Sequence, residues 1–239
     1  MLQKRTYERE ILDDHVPEQA VVDKIYAFLA GVNRYLGGAR ATIARFEQFS
    51  RTWQTGERIE VLDVASGAAD VPRALVAWAR QRGFDLRVTA LDVSLSALDY
   101  ARRSEPRDRR LRLVCADFQC VPCREGAYDY VTSALFFHHL TDEQIVEALR
   151  SFERIASRGI VVNDLIRSRR AYLWTWLLTR PFHPILAHDG PLSVRRALRP
   201  VEMKALASQA ELPWLTVQQH FGHRMTLAGH KFTRITTSS

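Results

Sequence analysis

The chain has 239 residues, enough for one full core with a helical addition, and its 46% hydrophobic and 26% charged content excludes a disordered or fibrous protein. The formal charge of +7 comes from scattered arginines, and the one cluster, Arg102, Arg103, Arg107, Arg109 and Arg110, also holds Glu105 and Asp108, so it reads as a solvated face rather than a nucleic-acid footprint. Cys115, Cys120 and Cys123 give no disulfide framework, the longest apolar cluster (171–178) is far short of the ~20 residues of a membrane span, and no signal-peptide core follows the N-terminus, so a cytoplasmic protein without a membrane span is expected.

Residues 1–58 read as helical and hold no strand pattern. Pro17 suits a first helical turn, and Val21, Val22, Ile25, Phe28 and Leu29 form one apolar stripe that Gly37 and Gly38 end. A second helix runs from Ala39 to about Trp53. From Ile59 the pattern alternates. Strands are expected at 59–64, 86–92, 111–115, 128–134 and 159–163. Helices are expected at 71–82, closed by Gly83, after a Ser94 or Ser96 cap, and at 142–155 behind Thr141. Repeated β-α-β units imply an α/β fold with a parallel sheet and helices on both faces.

The alternation stops at 165–199, a stretch rich in arginine and aromatics with Pro181, Pro184 and Pro191, read as an insertion with turns. A helix from Pro200 to about Ala210 follows. Runs at 215–221 and 225–231, joined by Gly222 and His223, read as a terminal antiparallel hairpin, with 234–239 frayed. The expected organisation is a helical cap at 1–58, a sheet domain at 59–164 and 200–234, and a helical, substrate-binding cap insertion after strand five at 165–199.

The most informative stretch is Asp63-Val64-Ala65-Ser66-Gly67-Ala68-Ala69, a strand end, a turn of small residues and a helix start. In an open α/β sheet such a turn lies where cofactors bind. Small residues let a ligand approach the backbone, and the helix N-terminus offers free N–H groups. Asp92, followed by Val93, ends the next strand and is placed for vicinal ribose hydroxyls. Asp117-Phe118 stands at the third strand tip, placed for an adenine edge. The fourth strand runs out in Ser133-Ala134-Leu135-Phe136-Phe137-His138-His139-Leu140.

With these motifs the chain resembles the class I S-adenosylmethionine-dependent methyltransferases, over about 59–163 and the terminal hairpin. The resemblance implies a Rossmann-like seven-stranded, mostly parallel sheet ending in an antiparallel hairpin. It implies S-adenosyl-L-methionine as cofactor and S-adenosyl-L-homocysteine as product. Asp63, Ala65, Ser66, Gly67, Ala69 and Ala134 would face the methionine part, Asp92 and Val93 the ribose, and Asp117 and Phe118 the adenine. The family's first motif usually reads Asp-x-Gly-x-Gly-x-Gly, and here only Gly67 remains. Ala65 and Ala69 still permit close approach, and are expected to exclude positive φ. They also count against a nicotinamide fingerprint, in which pyrophosphate sits on the helix N-terminus.

A looser similarity points to methyltransferases of the ubiquinone/menaquinone-like group and to those acting on phenolic natural products. The expected acceptor is a small aromatic or lipophilic molecule, met by Tyr26, Phe136, His138, Trp174, Leu178 and Phe182. His139, and His188 beside Asp189, are the candidate general bases for O-methylation. Asn163-Asp164 fills one of two carboxylate positions of metal-dependent catechol-type enzymes and strand four supplies none, so no metal is expected. The Asn/Asp-Pro-Pro-Phe/Tyr signature of amino methylation on nucleic acid is absent after strand four. C-methylation of a quinone precursor, RNA methylation and a non-enzymatic cofactor binder are the alternatives, and a homodimer is the assembly the reading allows.

Overall fold

Why the chain folds as it does is visible in the alternation along its first strand. In the computed structural model, which describes residues 2–14, 17–104, 108–120 and 123–231, Arg58–Val64 is β1, and its successive residues feed opposite faces. Ile59 and Val61 join one buried cluster with Phe46, Phe49, Leu75 and Trp78. Leu62 and Val64 join another with Phe152, Met203 and Leu227. Both faces are covered, as a parallel sheet requires.

The other strands are β2 (Asp85–Asp92), β3 (Leu111–Cys115), β4 (Tyr128–Ala134), β5 (Ala156–Leu165), β6 (Thr216–His220) and β7 (Arg224–His230). Their order is β3-β2-β1-β4-β5-β7-β6, parallel from β3 to β5, with β7 antiparallel to both neighbours. This is the Rossmann-like seven-stranded sheet with a terminal hairpin that the sequence implied.

Helices among the described residues are α1 (Ile11–Asp14), α2 (Gln19–Tyr35), α3 (Gly38–Phe49), α4 (Asp70–Gln81), α5 (Leu95–Ser104), α6 (Asp142–Ile155), α7 (Arg169–Thr179), α8 (Pro184–Arg196) and α9 (Pro200–Gln209). A 3-10 turn covers Phe137–His139. The Thr141 cap holds: its hydroxyl accepts from Gln144 N–H at 3.3 Å, and the Gln144 side chain accepts from Thr141 N–H at 2.8 Å. α3 and α4 cover one face of the sheet, and α6 and α9 the other. α2 packs on α3, α4 and α5 and reaches the insertion, where Phe28 and Phe182 lie 4.6 Å apart between ring centres.

Three local features refine the sequence reading. β5 begins at Ala156, where it pairs with Tyr128 of β4, and runs on to Leu165 because β7 pairs with it beyond Asn163, its last residue paired with β4. The insertion is helical, as expected, and consists of two helices, α7 and α8. Pro184 sits in a first turn, where its missing N–H is not needed. Gly190 lies mid-helix because a Cβ there would stand 2.7 Å from Thr179 Cγ2, so it permits close contact of α7 and α8. Ahead of the helix start expected at Pro17, the 1–58 stretch expected to be helical also holds α1, a single turn. The Asp189 carboxylate creates it by accepting from the N–H groups of Ile11 and Leu12 at 2.9 and 3.2 Å.

The three cysteines are free. No described helix is long and apolar enough to cross a membrane. Glu105, Arg107 and the 234–239 tail lie outside the described residues.

Candidate functional site

The strand order reverses between β1 and β4, and a crevice opens beyond their carboxyl ends. Three non-glycine residues flank it in the left-handed region: Ala65 at φ 56°, Ala69 at 60° and Leu135 at 57°. The expectation that alanine would keep φ negative is therefore wrong at both positions. The turn has the path a glycine motif would give it, at a cost on the order of 1 kcal/mol per alanine. Gly67 is left-handed too, at 53°.

Hydrogen bonds hold the turn in that shape. Ser66 N–H donates to Leu91 O at 3.0 Å and Ala69 N–H to Ser66 O at 2.8 Å. Asp92 joins the first two strand tips: Oδ2 accepts from Gly67 N–H and Oδ1 from Ser94 N–H, both at 2.7 Å. Burial raises the pKa of its carboxyl. Val93 beside it is exposed. Asp63 lies beneath the turn. Its Oδ1 accepts from the Thr132 hydroxyl at 2.5 Å, its Oδ2 has no partner, and burial pushes its carboxyl up to about 7.

These details fit a bound cofactor. Two buried polar atoms at the turn, Asp63 Oδ2 and Ser66 Oγ, have no hydrogen-bond partner. A Cβ built on Gly67 would meet no atom within 4 Å, so the turn faces open space. Asp117 is exposed at the tip of β3, with Oδ1 accepting from Gln119 N–H at 3.0 Å. Phe118 packs on Phe136 and Phe152, 5.8 and 5.9 Å between ring centres. Ala134 is half-buried at the end of β4.

The turn after β4 is gripped by two arginines. Arg5 donates to the carbonyls of Phe137 at 2.9 Å, Leu140 at 2.7 Å and Arg196 at 2.6 Å, and pairs with Asp142 at 2.7 Å. Arg196 donates to the carbonyls of His138 and His139, each at 3.1 Å, and pairs with Asp13 at 2.8 Å. His138 is buried. Its Nδ1 lies 2.7 Å from Asp164 Oδ1, its N–H donates to Asp164 Oδ2 at 2.9 Å, and its Nε2 is 3.8 Å from Glu10 Oε1. Burial works to raise the Asp164 carboxyl, but the His138 contacts hold it below its usual range.

His139 has Nδ1 3.1 Å from Asp13 Oδ1 and its ring 4.2 Å from that of His138. It borders a cavity of about 370 Å³ with Tyr7, Arg9, Asp13, Thr141 and Arg196. It also lies within Coulombic reach of Asp92. His188 is half-exposed, with Nδ1 2.8 Å from Asp189, the same carboxylate that starts α1. Asp189 thus meets His188 as expected, but within the α1–α8 contact.

The expected acceptor residues divide. Phe136 and His138 stand at the β4 tip. Tyr26 instead lies over the second strand tip, with its hydroxyl on Ser94 and Ser96 and its ring 5.6 Å from Tyr100. Trp174 is 66% exposed and Phe182 51%, while Leu178 is half-buried. Arg5, Glu10, Asp13 and Asp164 were not singled out as site residues. Only folding brings the first thirteen residues to the β4 turn, and no local pattern announces it.

Residues 61–159 match a family of proteins described as "Methyltransferase domain". No curated protein sequence matches the chain. Among solved structures, a SAM-dependent methyltransferase from Aquifex aeolicus is 16% identical, with a TM-score of 0.60 over 90% of this chain and 99% of its own. The plantazolicin methyltransferase BpumL, in complex with a pentazolic desmethylPZN analog and SAH, is 16% identical, with a TM-score of 0.64 over 87% of this chain and 75% of its own. Human N-acetylserotonin methyltransferase, in complex with SAM, is 14% identical, with a TM-score of 0.56 over 91% of this chain and 61% of its own. At these identities the structures speak for the fold. Residues 61–159 are thus a methyltransferase domain, and the enzyme it indicates takes S-adenosylmethionine as cofactor.

Proposed function

We propose that this S-adenosylmethionine-dependent methyltransferase methylates an oxygen of a small phenolic or polyketide-like acceptor, bound between the histidine turn after β4 and the helices of the insertion. The observation that carries the reading is His139, an imidazole 28% exposed beside a small cavity and within electrostatic reach of Asp92 at the crevice. Two solved structures of similar fold, one in complex with a desmethylPZN analog and one an N-acetylserotonin methyltransferase, support a small-molecule acceptor. C-methylation of a quinone precursor is the nearest alternative.

When bound, the cofactor supplies an electrophilic methyl group on a sulfonium. The protein's own part is positioning and proton handling. The 65–69 turn and Asp63 hold the methionine end, Asp92 accepts from ribose hydroxyls with its remaining lone pairs, and Asp117 and Phe118 meet the base. Phe136 and the α7–α8 aromatics exclude water around the acceptor. His139, with its ring steadied by Asp13, takes the acceptor's proton. His188 is the less suited of the two histidines, because its partner Asp189 is committed to α1.

Calorimetry with S-adenosylhomocysteine, followed by turnover on a panel of phenols, tests the reading. The wild type binds the nucleoside and Asp92→Ala weakens binding by tenfold or more. His139→Ala keeps nucleoside binding and loses roughly 10²–10⁴ in turnover. A wild type that binds neither S-adenosylmethionine nor its product overturns the function. Undiminished turnover in His139→Ala overturns the base.

A further inference from the structure

Three ligating side chains converge behind the β4 turn from segments far apart in sequence. Glu10, His138 and His139 each bring one ligand atom into a set whose members all lie within 4.8 Å of one another. Glu10 and His138 are buried, and His139 is partly so. We propose that these residues form a binding site for a divalent transition-metal ion of the zinc type, two imidazoles and one carboxylate with an open position. The proposal deepens the methyltransferase reading: it rests on that reading for the use of the ion, though not for its binding.

The second observation is how the imidazoles are held. His138 Nδ1 is on Asp164 at 2.7 Å, and His139 Nδ1 is on Asp13 at 3.1 Å. A carboxylate on one ring nitrogen fixes the tautomer and leaves the Nε2 lone pair free for a ligand, the outer arrangement that metal-binding histidines almost always have. One such pair is common in proteins. Two on adjacent histidines, with a third ligand facing them, is a specific arrangement.

Glu10 completes the chemistry. It is a buried carboxylate that forms no ion pair with arginine or lysine among the described residues. Its Oε1 accepts from the Ser193 hydroxyl at 2.8 Å, which aims the group. His138 Nε2 is 3.8 Å from that oxygen. Two bonds of about 2.0–2.2 Å at a tetrahedral angle set roughly 3.3–3.4 Å, so this pair closes by a few tenths of an ångström on an ion, within a set whose atoms all lie within 4.8 Å. Two nitrogens and an oxygen suit zinc or iron(II) better than magnesium or calcium.

Three protein ligands leave one position open, as in catalytic rather than structural sites. The cavity beside His139 gives that position room for an oxygen ligand. An acceptor hydroxyl or phenol bound there would be polarised by the ion and would release its proton to water in the cavity, with His139 then a ligand in place of a base. No ligand spacing announces this set, since Glu10 stands far upstream of the histidine pair.

The test uses tag-free full-length protein stripped with a chelator and titrated with Zn²⁺ by calorimetry and with Co²⁺ by visible absorption. One ion per chain binds, with cobalt bands of a four- or five-coordinate N/O site. Glu10→Gln and His138→Ala each weaken binding by 100-fold or more, and Asp13→Asn by roughly 10-fold. S-adenosylhomocysteine binding by Glu10→Gln, equal to wild type, shows that this variant is folded. Failure of the wild type to bind either ion, or equal binding by wild type and Glu10→Gln, overturns the site, and either result can occur while nucleoside binding stands. Loss of nucleoside binding by the wild type would instead overturn the methyltransferase reading while ion binding stayed measurable. If the ion also activates the acceptor, chelation lowers turnover and zinc restores it. Turnover indifferent to chelator overturns that use.

Discussion

At the scale of single residues, the crevice stores strain and charge in the same few positions. Ala65, Ala69 and Leu135 hold left-handed backbones around it, a conformation that a side chain adopts only when its surroundings enforce it. For Ala69 the enforcement is complete burial and the bond to Ser66 O. Asp63 carries the charge problem. Burial pushes its carboxyl up to about 7, with Asp92 adding to the rise and the Thr132 hydroxyl opposing it. An unfolded aspartate titrates near 3.9, so from about pH 4 to 7 the folded chain keeps a proton that the unfolded chain has lost. Stability therefore falls as pH rises through that window, by at most roughly 1.4 kcal/mol per pH unit from this group, and the fall ends above pH 7. Asp63→Asn removes that slope. Urea melts at pH 5 and pH 8 are expected to show the variant gaining on the wild type at the higher pH, and parallel melts would contradict the assignment.

At the scale of elements, the β4 turn matters more than its length suggests. Its outward carbonyls are taken up by Arg5 and Arg196, whose own charges are met by Asp142 and Asp13. A guanidinium satisfies several oxygens in one plane, which an ammonium cannot. Arg5→Lys should therefore cost about 1–3 kcal/mol through unsatisfied buried carbonyls, despite keeping the charge. It should also reduce turnover more than nucleoside affinity, since the turn carries the histidines and not the 65–69 cradle. Thermal melts with a kcat and Kd comparison check this, and a variant as stable as wild type would show that the clamp contributes little.

At the scale of the whole molecule, one group of arginines stands away from the crevice. Arg80, Arg87, Arg102, Arg109 and Arg110 line a cavity of about 1120 Å³ with Asp85 and Asp108. The cavity lies where β2 and β3 begin, the opposite end of the sheet from the strand tips. β2 alone spans roughly 26 Å at 3.3 Å per residue. Its arginines are partly answered by acids: Arg80 is 3.5 Å from Asp108, and Arg87 and Arg110 are 3.6 and 3.8 Å from Asp85. An RNA held there would present no base to the crevice. RNA affinity is thus expected to be weak, to fall steeply with salt and to lead to no methyl transfer. Methylated RNA at moderate salt would reverse that conclusion.

The sequence by itself determined the alternating elements, the sheet and its hairpin, and the placing of Asp63, Gly67 and Asp92 at the first two strand tips. These follow from hydrophobic period and from motifs contiguous in the chain, which local sterics and hydrogen bonding set. It also placed histidines at the fourth strand tip. Only the tertiary structure decided what those histidines touch. Glu10, Asp13 and Arg5 reach them from the N-terminus, Asp164 from β5 and Arg196 from α8, through contacts 26 to 183 residues apart that leave no periodic trace. It also decided that two alanines take a glycine's backbone path, because the bonds from Asp92, Leu91 and Ser66 outweigh the steric preference of a methyl group.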